Sequence, residues 1–457
     1  MRTPDWDGPL SEAYTGALTY LAALPERPVR PAVPTDELRE RLGGPLPRSG
    51  TDPRQVVAEL AALGDAAAVP SGGGRYFGFV TGGAMPAAMA ADWLTATWDQ
   101  NSTLHVMSPL AGVAEEVAGR WLTELLGLPG HSSVGFVTGA QMANVTGLAI
   151  GLRRVLLDAG WDVDADGLFG APPVRVVVGE GRHSTVDRAL RLLGLGSKAI
   201  VPVAMDDEGR LRPDALELSL AGSSVPVIVA AQLGNVNTGA LDPVGEICDV
   251  AHRFGAWVHV DGAFGLWAAA SPTLRHSVAG VERADSWATD AHKWLNVPYD
   301  SGLVFCAHPE DHAATMGMRA GYLPQAEGFR DSMDFVPESS RRCRGFAVHA
   351  AIRSLGADGV GELVDRCCAL ARRFADGLRA GGAQVLNDVV LNQVLVRFGS
   401  DENTSATIAS VQSDGTCWMG GTSWQGRPAM RVSVSNWSTD EADVDASVAA
   451  VLRCAGL

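Results

Sequence analysis

Apolar positions recur at helical spacing in some stretches and as short unbroken runs in others, and their alternation predicts the architecture. Between Leu110 and Leu126 the apolar residues fall at 110, 113, 114, 117, 118, 121, 122, 125 and 126. That is the spacing of a helix buried on one broad face, with Gly127 as its stop. Residues 10–24, 53–66 and the alanine-rich 86–98 also read as helices. From Ser133 the pattern becomes strand, glycine turn, helix: 134–138, then Gly139-Ala140-Gln141, then 142–157. Strand 174–178 leads to helix 184–193. Strand 226–231 leads through Asn235-Val-Asn-Thr238-Gly239 to helix 243–254, with Asp242 as N-cap and Pro243 in the first helical position. Three more apolar strands follow, one ending in Asp261, one over 284–289 and one over 302–306. Near-continuous apolar strands alternating with helices predict an α/β fold, a mostly parallel sheet covered on both faces.

The flanks read differently. Residues 1–50 are rich in proline and arginine, too little to fold alone, and are expected to pack on the body or a partner subunit. Residues 308–340 change character, and no period holds across 317–338. So long an irregular stretch in a compact domain predicts a mobile loop over a site. A long helix, 345–380, leads to strand-like pieces at 389–398, 415–419 and 429–434 and a last helix at 439–454. The expected division is an N-terminal helical segment (1–80), a large α/β domain (81–315), an active-site loop (316–340) and a small α+β C-terminal domain (341–457).

Composition narrows the partners. A net charge of -16 on 457 residues argues against general binding to nucleic acid or anionic membrane. The seven cysteines form no CxxC pair and sit largely in apolar stretches, which predicts reduced core thiols. The acid and proline in Met1–Asp7 do not suit a signal peptide, and no apolar run is long enough to span a bilayer. A cytoplasmic protein is expected.

Candidate chemistry gathers at strand ends, where ligands bind in parallel sheets. Lys293 follows one strand and Asp261 closes another. A lone lysine there is more often a solvated surface group. Paired with the aspartate it suits pyridoxal 5'-phosphate (PLP): the amine bonds the cofactor aldehyde, and the carboxylate keeps the pyridine nitrogen protonated. His183 and Thr238 fall at strand ends too. The glycine turn before 142–157 could hold a phosphate on helix N–H groups, although many such turns bind nothing.

With these pieces placed, the chain closely resembles the PLP-dependent group II amino acid decarboxylases, which include aromatic-L-amino-acid and glutamate decarboxylases. The landmarks are Thr138–Asn144, His183-Ser184, Thr238-Gly239, His259-Val-Asp261-Gly-Ala263, Asp285-Ser286 with His292-Lys293-Trp294, Arg341-Arg342 and Arg431-Val-Ser-Val-Ser-Asn436. The resemblance runs from about residue 70 to the C-terminus. It implies fold type I, the PLP-dependent transferase fold, and decarboxylation of an L-amino acid to its amine and CO2 in a homodimer with sites at the interface. It makes Lys293 the cofactor-bonding lysine and Asp261 the ring-nitrogen partner. His183 would stack on the ring and share in proton transfer. Ala140, Gln141 and His292 would hold the phosphate, Ala263 would pack under the ring, and Thr238 would lie beside it. Thr81 and Phe79 would approach the substrate, and Tyr322 would protonate the substrate carbon from the loop.

Four positions depart from the family pattern. Asp290 stands where several relatives have asparagine near the phosphate, and a carboxylate there repels a dianion unless it turns away or pairs. Ala140 and Met142 depart from the usual phosphate turn, and a positive φ at Ala140 would strain it. Gly262 replaces a common alanine. Carbon–carbon lyases, aldehyde-forming oxidative decarboxylases and aminotransferases share related folds, and a cofactor-binding regulator is the reading from another class. Tyr322 favours simple decarboxylation, and the acidic charge speaks against a regulator. Tyr76, Phe77, Phe79 and Trp98 suit an aromatic substrate and suit a plain core equally well.

Overall fold

The computed structural model describes residues 5–321, 323 and 328–457. Tyr322 lies outside the described residues.

The chain begins with three helices, α1 (Asp7–Ala23), α2 (Thr35–Leu42) and α3 (Pro53–Ala67), none of which fully buries a residue. Asp52 caps α3 by accepting from the N–H groups of Arg54 and Gln55, with Pro53 in the first position. α1 and α3 approach so closely that a Cβ at Gly16 would lie 2.8 Å from that of Ala61. α4 (Pro86–Trp98) and α5 (Pro109–Leu125) follow within a residue of their expected bounds.

The large sheet comprises β1 (Ser133–Val137), β2 (Arg175–Gly179), β3 (Ile200–Val203), β4 (Val227–Gln232), β5 (Trp257–Asp261), β6 (Ser286–Asp290) and β7 (Gly302–Cys306). Its strand order is β1-β7-β6-β5-β4-β2-β3. Helices α6 (Ala140–Asp158), the short α7 (Val163–Asp166), α8 (Ser184–Leu192), α9 (Pro213–Leu220) and α10 (Val244–Arg253) connect the strands. β7 runs antiparallel to both β1 and β6, so β1 points the same way as β6 and its parallel neighbours. The carboxyl ends of β1, β2, β4, β5 and β6 therefore meet at one edge. Every residue of β5 and β6 is buried, including the polar His259, Asp261, Ser286, Thr289 and Asp290. Trp267, Trp287 and Trp294 are among the largest fully buried side chains.

α11 (Pro309–Met316) opens the stretch expected to be irregular, and a 3-10 turn at Ser332–Phe335 closes it. α12 (Gly345–Ala380) is broken at Gly356, whose φ of 68° and ψ of 174° are not helical. The C-terminal sheet, order β10-β11-β9-β8, contains β8 (Gln384–Val385), β9 (Gln393–Arg397), β10 (Gly420–Trp424) and β11 (Arg427–Ser433). α13 (Asp401–Asp414) packs on β10 and β11, α12 packs on β8 and β9, and α14 (Glu441–Ala455) packs on α12 and α13.

Two local expectations are corrected. Pro243, not Asp242, occupies the N-cap of α10. Asp242 instead accepts from the N–H groups of Leu211 (2.8 Å) and Gln232 (2.7 Å), satisfying two buried backbone donors. The strand expected at 415–419 begins at Gly420, because Gly415 ends α13 with φ 81° and Trp418 forms an isolated bridge with Tyr76.

Candidate active site

Lys293 lies three residues beyond the end of β6, in a turn fixed from both sides. Trp294, 1% exposed, anchors it in the core. The buried Asn296 side chain accepts from the N–H groups of Gly83 (2.6 Å) and Trp437 (3.0 Å) and donates to the carbonyls of Trp294 (2.8 Å) and Ser435 (3.0 Å). One amide thus joins the lysine turn to the segment carrying Thr81 and to the end of β11. The contact is tight, since a Cβ at Gly82 would come 2.0 Å from the Lys293 carbonyl oxygen. Thr81 contributes its carbonyl to the Ser435 hydroxyl at 3.0 Å. Phe79 and Val80 both hold φ at 57°, a left-handed conformation uncommon for such residues that marks backbone strain beside the site.

Asp261 ends β5, 4% exposed, and accepts from the Thr185 hydroxyl (3.4 Å) and the Ala263 N–H (3.3 Å). His183 is the N-cap of α8: its Nδ1 accepts from the Thr185 N–H (3.3 Å) and meets that hydroxyl at 2.9 Å. Burial lowers the His183 pKa, Asp261 opposes that, and the charges of Lys293 and Arg431 reinforce it. Its imidazole is accordingly neutral at pH 7. These four charged or titratable groups lie in one another's field.

The turn after β1 supplies anion donors. Ala140 begins α6, and its N–H donates to Asp290 Oδ1 at 2.5 Å. Asp290 Oδ2 lies 2.9 Å from Lys293 Nζ, and His292 Nε2 lies 3.3 Å from Oδ1. His292 Nδ1 accepts from the Ser301 N–H at 3.1 Å, which leaves the proton on Nε2, facing Asp290. Burial lowers the His292 pKa as well. Ala140 does not have a positive φ, so the turn carries no strain there. Gly139 is extended (φ 174°), and the missing side chain of Gly302 makes room for it: a Cβ on Gly302 would lie 2.3 Å from the Gly139 Cα.

The donor set fits PLP. A helix N-terminus, an imidazole N–H and an ammonium converge on one carboxylate, which marks the spot as receptive to an anion. Asp261 and His183 lie beside it. Among the predicted residues, Ala140, Gln141, His183, Asp261, Ala263, His292 and Lys293 gather at this edge. The Gln141 side chain donates to the Thr185 carbonyl at 3.2 Å, and the Ala263 carbonyl accepts from the Asp290 N–H at 3.0 Å. Thr238 is buried, but its hydroxyl donates to the Glu208 carbonyl at 2.7 Å, within the turn before α10. Phe79 is 61% exposed, its ring 5.3 Å from that of Trp418.

Two residues at the site carried no assigned role in the sequence reading. Arg431 on β11 is half-buried, its charge acts on His183, and it makes no ion pair or side-chain hydrogen bond among the described residues. An arginine between the apolar Met430 and Val432 of β11 is a visible signal. Asn296 gives no such signal, because its role depends on long-range contacts.

Comparison with known proteins agrees with this geometry. The pyridoxal-dependent decarboxylase conserved domain matches residues 74–398. The chain is 26% identical over 397 residues to the aromatic-L-amino-acid decarboxylase of Bacillus atrophaeus, covering 85% of this chain and 80% of that protein. It is 28% identical over 408 residues to the L-2,4-diaminobutyrate decarboxylase of Rhizobium meliloti (86% and 80%). Human cysteine sulfinic acid decarboxylase is 27% identical over 353 residues (75% and 70%). The fold matches Oryza sativa TDC, solved with PLP and tryptamine, at TM-score 0.91 and 23% identity over 100% of this chain and 99% of that one. Mouse CSAD in apo form matches at TM-score 0.90 and 22% identity, over 98% of both. The chain belongs to the pyridoxal-dependent decarboxylase family and is a PLP-dependent carboxy-lyase of fold type I.

Proposed function

We propose that this protein decarboxylates an aromatic L-amino acid to its amine and CO2. The observation that carries the substrate class is the cluster on the segment packed against Lys293. Tyr76 stacks on Trp418 (centroids 5.1 Å, 8° apart), Phe79 lies tilted against the same Trp418 ring at 5.3 Å, and Tyr299 lies tilted at 32° over His292 at 4.3 Å. Flat apolar faces favour an aromatic side chain. An acidic side chain would call for a second cation, and among the described residues the site offers Arg431 and the Asp290-paired Lys293.

The roles follow from position. Lys293 would anchor the cofactor, Asp261 would serve its ring nitrogen, and the start of α6 with His292 would receive its phosphate. When bound, PLP supplies a ring that accepts the electron pair left at Cα as CO2 departs. Arg431 receives the substrate carboxylate, since an unpaired, half-buried cation finds its best partner in an anion. His183, neutral and braced by Thr185, presents a flat face rather than a competing charge. The 79–83 segment, held on the lysine turn by Asn296, excludes water from Lys293. Cα must regain one proton, and the family resemblance assigns that transfer to Tyr322.

A homodimer completes this reading. Trp6, Leu10, Tyr14, Leu18, Val106 and Met107 are exposed, and no residue of helix α1 is fully buried. We also infer a cytoplasmic location, supported by seven unpaired cysteines. Among the described residues no helix is long and apolar enough to cross a membrane.

The test is kcat/KM of the PLP-loaded protein for L-tryptophan, L-tyrosine and L-phenylalanine beside L-cysteine sulfinate and L-2,4-diaminobutyrate. The reading expects one aromatic substrate to lead by at least about tenfold, the scale of one well-filled pocket. A lead by either non-aromatic substrate refutes the aromatic assignment.

A further inference from the structure

Asp290 holds the donors that a cofactor phosphate needs. Its Oδ1 takes the Ala140 N–H at the start of α6 (2.5 Å) and faces His292 Nε2 (3.3 Å), while its Oδ2 pairs with Lys293 Nζ (2.9 Å). The backbone cannot drift to relieve this, because its N–H donates to the Ala263 carbonyl (3.0 Å) and its carbonyl accepts from Trp267 Nε1 (3.0 Å). With 4% of the side chain exposed, solvent does little to screen it.

We propose that Asp290 competes with the cofactor phosphate for these donors, so that phosphate capture turns the Asp290 carboxylate out of the α6 turn and releases Lys293. A backbone N–H donates fully to one oxygen at a time, and two anions a few ångströms apart repel. Asparagine has the same shape, still accepts from the Ala140 N–H, and offers an N–H pair to a phosphate. Aspartate here therefore weakens cofactor retention and holds the lysine until the anion arrives. Asp290 is a positioning residue in this account, acting through Lys293 and the turn. The proposal rests on the reading of Lys293 and the α6 turn as the cofactor's anchor.

Cofactor-stripped wild type, Asp290→Asn and Asp290→Ser are titrated with PLP and with pyridoxal, following visible absorbance. Each protein is also melted with and without millimolar inorganic phosphate. Pyridoxal lacks the phosphate and so reports the effect on Lys293 alone. Relative to pyridoxal, the PLP Kd should tighten about tenfold or more in Asp290→Asn, and phosphate should raise the Tm of both variants more than that of wild type. Asp290→Ser covers the case in which asparagine does not fold. The proposal is overturned if PLP affinity relative to pyridoxal falls or stays level and phosphate stabilises all three proteins equally. Absence of any visible band in wild type with either aldehyde would refute the anchor reading instead, and the phosphate melts would still decide this one.

Discussion

Residue by residue, the site is a set of charges that find partners within it, with Arg431 as the exception. Lys293 has one carboxylate partner, Asp261 has two donors, and Arg431 has no ionic partner among the described residues. A half-buried cation left without a partner carries a cost that a ligand anion offsets, and this is the reason for assigning it the substrate carboxylate. Arg431→Gln is predicted to lower kcat/KM by about 2–5 kcal/mol, chiefly through KM, with the fold intact. A KM unchanged for every substrate would remove Arg431 from binding. The lysine and aspartate were legible because motif order and strand ends coincide. Asp290 was legible as an anomaly. Its resolution needed coordinates, since pairing across the turn after β6 and the start of α6 joins residues 150 apart.

At the scale of elements, the helices and parallel strands followed from their periodicity, and the misses came where long-range pairing decides. A five-residue apolar run gives no direction, so the antiparallel setting of β7 was invisible. Asp242-Pro243 has a capping composition, yet two buried N–H groups from neighbouring strands and turns claimed the carboxylate. Two histidines lock elements together. His259 on β5 sits between the Ser286 hydroxyl (2.8 Å) and the Asn144 amide oxygen (2.9 Å), and His312 on α11 between the Ser133 hydroxyl (2.8 Å) and the Phe335 carbonyl (3.0 Å). Burial pushes each pKa down to about 3. With the folded pKa depressed, each contribution is complete above the unfolded value of about 6.5 and is lost as pH falls towards the folded one. Each histidine should therefore cost about 1.4 kcal/mol per pH unit below pH 6.5. Denaturant unfolding of wild type and His312→Gln between pH 6.5 and 5 should show the variant's slope shallower by about that amount, and equal slopes would contradict the assignment.

Across the whole molecule, one buried ion pair ties the N-terminal half to the start of the C-terminal part. Glu115 on α5, fully buried, receives both outer nitrogens of Arg341 at 2.5 and 2.8 Å, with the Ser102 hydroxyl at 3.1 Å. Arg341 strips Glu115 of the protonation that burial would favour and holds its pKa low. Glu115→Gln would leave the arginine charge buried and unpaired, and is predicted to destabilise the protein by about 3–5 kcal/mol. A loss below about 1 kcal/mol in denaturant unfolding would show the pair to be incidental. The sequence showed Arg341 as a landmark but gave no hint of its partner, 226 residues away.

The central claim is that this constellation removes CO2 from an amino acid and returns one proton to Cα. It is tested most directly by counting CO2, amine and aldehyde from an aromatic L-amino acid, with PLP-loaded wild type and Lys293→Ala side by side. The account predicts one amine per CO2, little aldehyde, and neither turnover nor the visible band of lysine-bound cofactor in the variant. CO2 matched by aldehyde would contradict simple decarboxylation, and a variant that keeps the band and the turnover would contradict the role of Lys293.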